Sequence, residues 1–302
     1  MTTPAGRSVR LTRPLDLTAT LAPLSRGGAG DPSIAFSPGE VWRATRNSEG
    51  VATVRYRRDG ATAEVTAWGP GAEVELERAP AVLGQDDDDS GFAPGHPLLR
   101  DLHRRFAGLR LTRTGAVFEA LVPAVFGQKV IGLEARRGYR RMVRELGEPA
   151  PGPVPLVVPP SAATLARTPY WAFHPFALEQ RRATTLIIAA SRGDWLERLA
   201  SLPPESARAL LTALPGIGAW TAALVTGSAL GDPDAVPVGD YNLPNLVSWA
   251  LAGEPRGDDA RMLELLEPYH GHRGRAIRLL EAGGARPPRR GPRLAFRHLE
   301  RA

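Results

Sequence analysis

Apolar and polar positions partly alternate in three short runs, 51–58, 62–68 and 72–78, the period-two mark of half-buried strands. Asp59-Gly60 and Gly69-Pro70-Gly71 supply turns between them. Residues 9–17 and 40–45 read as further strands, and 25–38, rich in Gly, Pro and Ser, as a loop. The acidic run 86–89 reads as a solvated linker. From about Gly91 the apolar period becomes helical. Leu98, Leu99, Leu102 and Phe106 share one face. Phe118, Leu121, Val122 and Val125 share another, with Pro123 kinking that helix or sitting in its first turn. Ile131, Ala135, Tyr139, Met142 and Leu146 make a third stripe. A Pro-rich break covers 150–160. Helices are expected again over 179–190, 207–214, 243–251 and 275–280. Leu243, Leu246, Val247, Ala250 and Leu251 keep the amphipathic spacing throughout. These patterns predict an α+β chain with a β-rich N-terminal domain over 1–90, a helical core over 91–284 and a basic, unstructured tail over 285–302.

Composition narrows the chemistry. The chain of 302 residues has no cysteine, which removes disulfides, thiolate zinc sites, cysteine nucleophiles and cysteine-held iron–sulfur clusters. His270 and His272, the closest histidine pair, stand two apart and so do not share a helix face. No apolar run reaches the roughly 18 residues of a membrane span, and the N-terminus is polar, so a cytoplasmic protein without a membrane partner is expected. The formal net charge of +6 favours a polyanionic partner. Of the 38 basic residues only Lys129 is lysine, a bias that codon composition alone also produces.

The most informative stretch is Leu214-Pro215-Gly216-Ile217-Gly218-Ala219-Trp220-Thr221-Ala222, lying between two helical patterns. Pro215 ends the first helix, and Gly216 and Gly218 permit positive φ and close backbone approach. The next helix starts near Ala219, so unpaired amides of Gly216, Ile217, Gly218 and Ala219 stand ready for a phosphate. A bare Gly-x-Gly bend is equally an ordinary corner between helices. Downstream, Asp240 precedes the helix over 243–251, where aspartate serves as an N-cap whether or not it has a second role.

The whole nine-residue string closely resembles the hairpin of the helix-hairpin-helix DNA glycosylase superfamily, a motif also found as a plain DNA-binding module. The resemblance is strongest over about residues 112–285. Phe118-Glu119-Ala120-Leu121-Val122 with Phe126-Gly127-Gln128 is similar to the opening helix of its alkylation-repair branch, 3-methyladenine DNA glycosylase II. That likeness implies a TATA-binding-protein-like N-terminal domain and a two-lobed helical core. It implies damaged double-stranded DNA as partner, and no obligatory protein partner is evident. It also implies a catalytic carboxylate at Asp240, twenty positions after Trp220, to stabilise the oxocarbenium-like sugar. Trp220, Tyr241, Trp171, Phe173 and Phe126 become candidates for the base pocket, and Gln128 and Lys129 for the wedge or DNA contact. Relatives that also cut the strand carry a hairpin lysine where this chain has Trp220, so a monofunctional enzyme using water is expected. The resemblance further implies a monovalent cation held by the backbone carbonyls of Thr212, Leu214 and Ile217, and no other cofactor. Three positions depart from the branch: Lys129 replaces an apolar wedge, Leu224 a pocket aromatic, and Glu281 a pocket tryptophan of the last helix. They leave open a glycosylase for another lesion, or a non-catalytic DNA-binding protein.

Overall fold

The structure is a computed structural model and describes residues 3–284; the tail expected at 285–302 lies outside the described residues. Strands β1 (Ala5–Arg10), β2 (Ile34–Ser37), β3 (Glu40–Asn47), β4 (Gly50–Asp59) and β5 (Thr62–Trp68) form one antiparallel sheet in the order β1-β5-β4-β3-β2. Period-two alternation gives the sheet two apolar faces. Val41, Val54, Tyr56 and Val65 meet Leu17 and Leu21 of α1 (Leu17–Leu21) and Leu76, Ala79 and Val82 of α2 (Ala72–Val82). Trp42 and Trp68 stack on the opposite face, 5.2 Å apart, and pack with Leu156 and Val158.

Three local expectations are corrected. Residues 72–78 are helical, because the spacing of Ala72, Leu76 and Ala79 follows the helix period and buries one stripe on the sheet. Residues 9–17 divide between β1 and α1, where Asp16 accepts the Ala19 amide and caps the helix. The loop 25–38 contributes β2, an edge strand paired with β3.

The acidic run is a solvated linker only in part: Asp86 and Asp88 are exposed, whereas Asp87 and Asp89 turn inward. Asp87 is buried against Arg275 and also accepts the Leu111 amide (3.0 Å), and Asp89 pairs with Arg13. Lone carboxylates seek water, but an arginine and a backbone donor satisfy one inside the protein. The run thereby ties the sheet domain to the last helix.

Thirteen helices occur among the described residues. After α1 and α2 come α3 (Pro97–Arg105), α4 (Val117–Phe126), α5 (Gly132–Leu146), α6 (Ala162–Arg167), α7 (Gln180–Ala190), α8 (Gly193–Arg198), α9 (Pro204–Thr212), α10 (Ala219–Ala229), α11 (Leu243–Ala252), α12 (Asp259–Leu266) and α13 (Arg273–Ala282). The Pro-rich break holds a short hairpin of β6 (Glu148–Pro149) and β7 (Val157–Val158). Helix α4 has no cap of its own; Glu197 of α8 accepts its Val117 and Phe118 amides (3.2 and 2.9 Å). Pro123 lies inside α4.

The helices build two lobes around separate cores. Helices α4 to α10 surround one, centred on Leu121, Met142, Leu165, Leu186 and Val225. Helix α3 joins α11, α12 and α13 around the other, centred on Leu99, Leu102, Val247 and Leu280. The chain thus makes the first lobe as an insertion between two parts of the second. The loop from α10 to α11 crosses the seam between them.

Candidate active site at the hairpin

Helices α9 and α10 are joined by the glycine turn. Leu214 and Ile217 anchor it by burying in the first core. Gly216 takes φ +82°, and a Cβ there would collide with the Thr185 hydroxyl of α7. Gly218 is the N-cap of α10 and faces open space, and no side chain caps the helix. The first-turn amides of α10 therefore present an unobstructed anion-binding end. The expectation of an unpaired Ile217 amide is corrected, because the tight turn makes it donate to the Leu214 carbonyl (3.0 Å).

Asp240 stands across the seam from this turn. Its Oδ1 accepts the Asn242 and Leu243 amides (2.8 and 2.9 Å), which caps α11. Its Oδ2 accepts the Trp220 indole N–H at 2.9 Å. Capping and site geometry therefore coexist in one half-buried carboxylate. Trp220 is wedged from behind, since a Cβ on Gly127 would come within 2.9 Å of its ring.

The candidate pocket aromatics separate into two groups. Phe126 and Phe173 are core residues, 1% and 0% exposed, so the expectation that they line a pocket is corrected. Phe126 meets Tyr139 edge-on and Phe173 meets Phe176, contacts that satisfy both rings inside the first lobe. Trp171 and Tyr241 are 61% and 77% exposed and remain free to meet a ligand. Tyr241 directly follows Asp240 at the rim of the seam.

Gln128 spends both amide hydrogens on the hairpin, donating to the Gly216 carbonyl (2.9 Å) and the Thr221 hydroxyl (3.0 Å). It braces the turn, a task that its position after α4 did not announce. Lys129, next to it, is exposed and takes φ 55°. Arg181 is exposed, but Arg182 is buried and donates to the Phe126 and Ala177 carbonyls and to Glu179. It closes the left-handed turn at Ala177.

Beside the Trp220–Asp240 pair lies a cleft of about 220 Å³. Ala223, Leu224 and Gly227 line it from α10 and follow Trp220 by three, four and seven positions, on its own helix face. Pro237, whose carbonyl accepts the Asp240 amide (3.2 Å), lines it from the crossing loop. Ile277, Arg278 and Glu281 face them from α13, and Pro23 and Arg26 close the cleft from the sheet domain. The last two were missed from the sequence because the short 3-10 turn that holds Pro23 and the loop that holds Arg26 carry no periodic signal.

No family model matches the chain. A curated relative, the probable bifunctional transcriptional activator/DNA repair enzyme AlkA of Mycobacterium tuberculosis, is 31% identical over 150 residues, which is 49% of this chain and 30% of that protein. The chain thus matches under a third of the length of this relative. Among solved structures, the 3-methyladenine DNA-glycosylase of Archaeoglobus fulgidus superposes with a TM-score of 0.77 at 20% identity, over 91% of this chain and 97% of that one. The 8-oxoguanine glycosylase/lyase of Clostridium acetobutylicum does so with a TM-score of 0.69 at 16% identity, over 93% and 98%. The chain therefore has the fold of the helix-hairpin-helix DNA glycosylases and is similar in sequence to their alkylation-repair branch.

Proposed function

We propose that the protein is a monofunctional DNA glycosylase that hydrolyses the N-glycosidic bond of alkylated purines in double-stranded DNA. The carrying observation is the Trp220–Asp240 hydrogen bond, which holds a carboxylate beside the hairpin turn, on the same helix and loop whose Leu224 and Pro237 line a base-sized cleft.

The free hairpin amides grip a phosphate without reading sequence, and Lys129 adds an exposed cation next to Gln128, which braces that turn. The damaged nucleotide leaves the stack and its base enters the cleft. Positive charge then builds at C1′ as the C1′–N bond breaks, and its electron pair goes to the departing base. On a cationic alkylated purine that pair neutralises the ring, so no proton need be supplied. Asp240 faces the developing charge and takes a proton from the water that adds to C1′. With two backbone amides and one indole fixing it, the carboxylate reorients little as charge develops. Trp220 offers no amine, and Lys129 stands on the turn after α4, outside the hairpin. Trp171 and Tyr241 supply exposed rings for stacking on bases. The carbonyls of Thr212, Leu214 and Ile217 are neutral oxygen donors suited to a weakly held monovalent cation, and Leu214 keeps a second lone pair beyond its Ile217 bond.

The test is base release from methylated duplex DNA. Wild type should free methylated purines, and Asp240→Asn should not. A protein that binds the duplex yet frees nothing from any lesion refutes the enzymatic reading. Borohydride should trap no protein–DNA adduct; trapping would show an amine nucleophile and end the monofunctional assignment.

A further inference from the structure

The cleft carries charged side chains among aliphatic ones where a cage for cationic bases would be aromatic. No aromatic side chain lines it among the described residues. Three arginines do: Arg26, Arg110 and Arg278. Arg110 is buried and donates to the Pro14 and Arg13 carbonyls, while its Nη1 has no partner. Arg278 donates to the Ala19 carbonyl (3.2 Å) and to Glu281 Oε2 (3.1 Å). Arg26, half-buried where the cleft meets the sheet domain, has no side-chain hydrogen bond among the described residues. Its burial, with the neighbouring charge of Arg278, lowers its pKa from the ordinary arginine value. A half-buried guanidinium with no hydrogen-bond partner of its own is free to donate to a ligand carrying a carbonyl oxygen.

Glu281 supplies the opposite half. Arg278 holds one of its oxygens, and the other has no partner among the described residues. The cleft therefore offers strong donors at Arg26 and a negative acceptor at Glu281. We propose that this cleft selects purines bearing a 6-carbonyl, that is guanine-type lesions, by donation from Arg26 to O6 and acceptance by Glu281 from N1–H and the 2-amino group. The inference rests on the glycosylase reading above and names the substrate class within it.

Guanine-type bases present an acceptor beside two donors, complementary to this pair. Adenine-type bases have an amino group at position 6, which meets the guanidinium donor against donor and leaves it unpaired. Sites built around such groups reject the analogue that cannot pair them. Arginine to the guanine O6 edge is also the commonest base-specific contact in DNA recognition. Glu281 offsets the three cations for a guanine methylated at N7, whose ring is itself positive.

Methylated duplex DNA carries 7-methylguanine and 3-methyladenine together, so one reaction tests both. Each release rate is divided by that base's spontaneous loss. The enhancement for 7-methylguanine should exceed that for 3-methyladenine by roughly tenfold or more. Arg26→Met and Glu281→Gln should each bring the ratio toward one, with Arg26→Lys intermediate. Thermal melts of the variants identify any that fail to fold, and Glu281→Gln, half in solvent, keeps the test available. Saturation-transfer NMR with free 7-methylguanine and free 3-methyladenine reads the same preference without catalysis. Preference for 3-methyladenine in either assay, or variants that slow both bases equally, overturns the proposal. A binding preference for 7-methylguanine without release of any base sustains the cleft's selectivity and refutes the glycosylase reading instead.

Discussion

Asp240→Asn separates the two tasks of one carboxylate. Asparagine keeps Oδ1, so the Asn242 and Leu243 amides stay satisfied and the cap on α11, ~1 kcal/mol, survives. The new amide then faces the Trp220 N–H, donor against donor, where a 2.9 Å charge-assisted bond stood. Such a bond is worth about 1.5–3 kcal/mol. Both partners are half-buried, so water takes up part of that loss, and the melting temperature should fall by only a few degrees. Activity should fall much further. A unit charge ~4 Å from the sugar cation at an effective dielectric of ~20 contributes about 4 kcal/mol, or roughly three orders of magnitude in rate. Affinity for undamaged duplex should hold, because the proposed function assigns that contact to the hairpin backbone. Single-turnover base release, a thermal melt and a fluorescence-anisotropy titration measure the three quantities. Asp240→Ala should lose the cap as well and melt lower than Asp240→Asn. Release by Asp240→Asn within tenfold of wild type, or a parallel collapse of DNA affinity, would refute this division of roles.

Gly216→Ala should cost about 1–2 kcal/mol for the left-handed backbone alone, add the collision with Thr185, and weaken duplex binding; Thr185→Ala in the same chain should recover part of the loss in a titration. Arg275→Met should lower stability by about 3–5 kcal/mol in urea denaturation by stranding the buried Asp87, and removing both partners together should cost less. Burial, aided by the Arg275 charge, lowers the His272 pKa below its ordinary value. The folded state then disfavours the protonated ring, so the His272 contribution is full above about pH 6.5 and is lost as pH falls through the lowered folded value. Urea midpoints of His272→Gln should accordingly vary less between pH 7.5 and 5 than those of wild type.

Motifs local to the chain were legible before any coordinates. The hairpin string at 214–222 is set by backbone chemistry: proline stops a helix, glycines turn the chain, and helix amides are left over whatever surrounds them. The helix over 243–251 carried its own period, and Asp240 stood at its head. Alternation marked the strands at 51–58 and 62–68 for the same reason. Residues 72–78 show the limit, since a partial alternation in so short a run also fits a helical stripe, and packing on the sheet chose the helix.

Tertiary structure decided everything that joins distant segments. Aromatic identity could not tell Phe126 and Phe173, closed into the first core, from Trp171 and Tyr241, left open at the surface, because burial depends on what packs over a ring. Four aspartates in a row read as solvated until Arg275, 188 positions away from Asp87, supplied the counter-charge. Gln128 became a brace only when α4 met the hairpin. The sequence by itself determined the glycine turn and the carboxylate that caps α11, since each depends on neighbours in the chain. The cleft between α10, α13 and the sheet domain was decided by folding alone, because Leu224, Arg26 and Glu281 share no local pattern and meet only where three surfaces leave a gap.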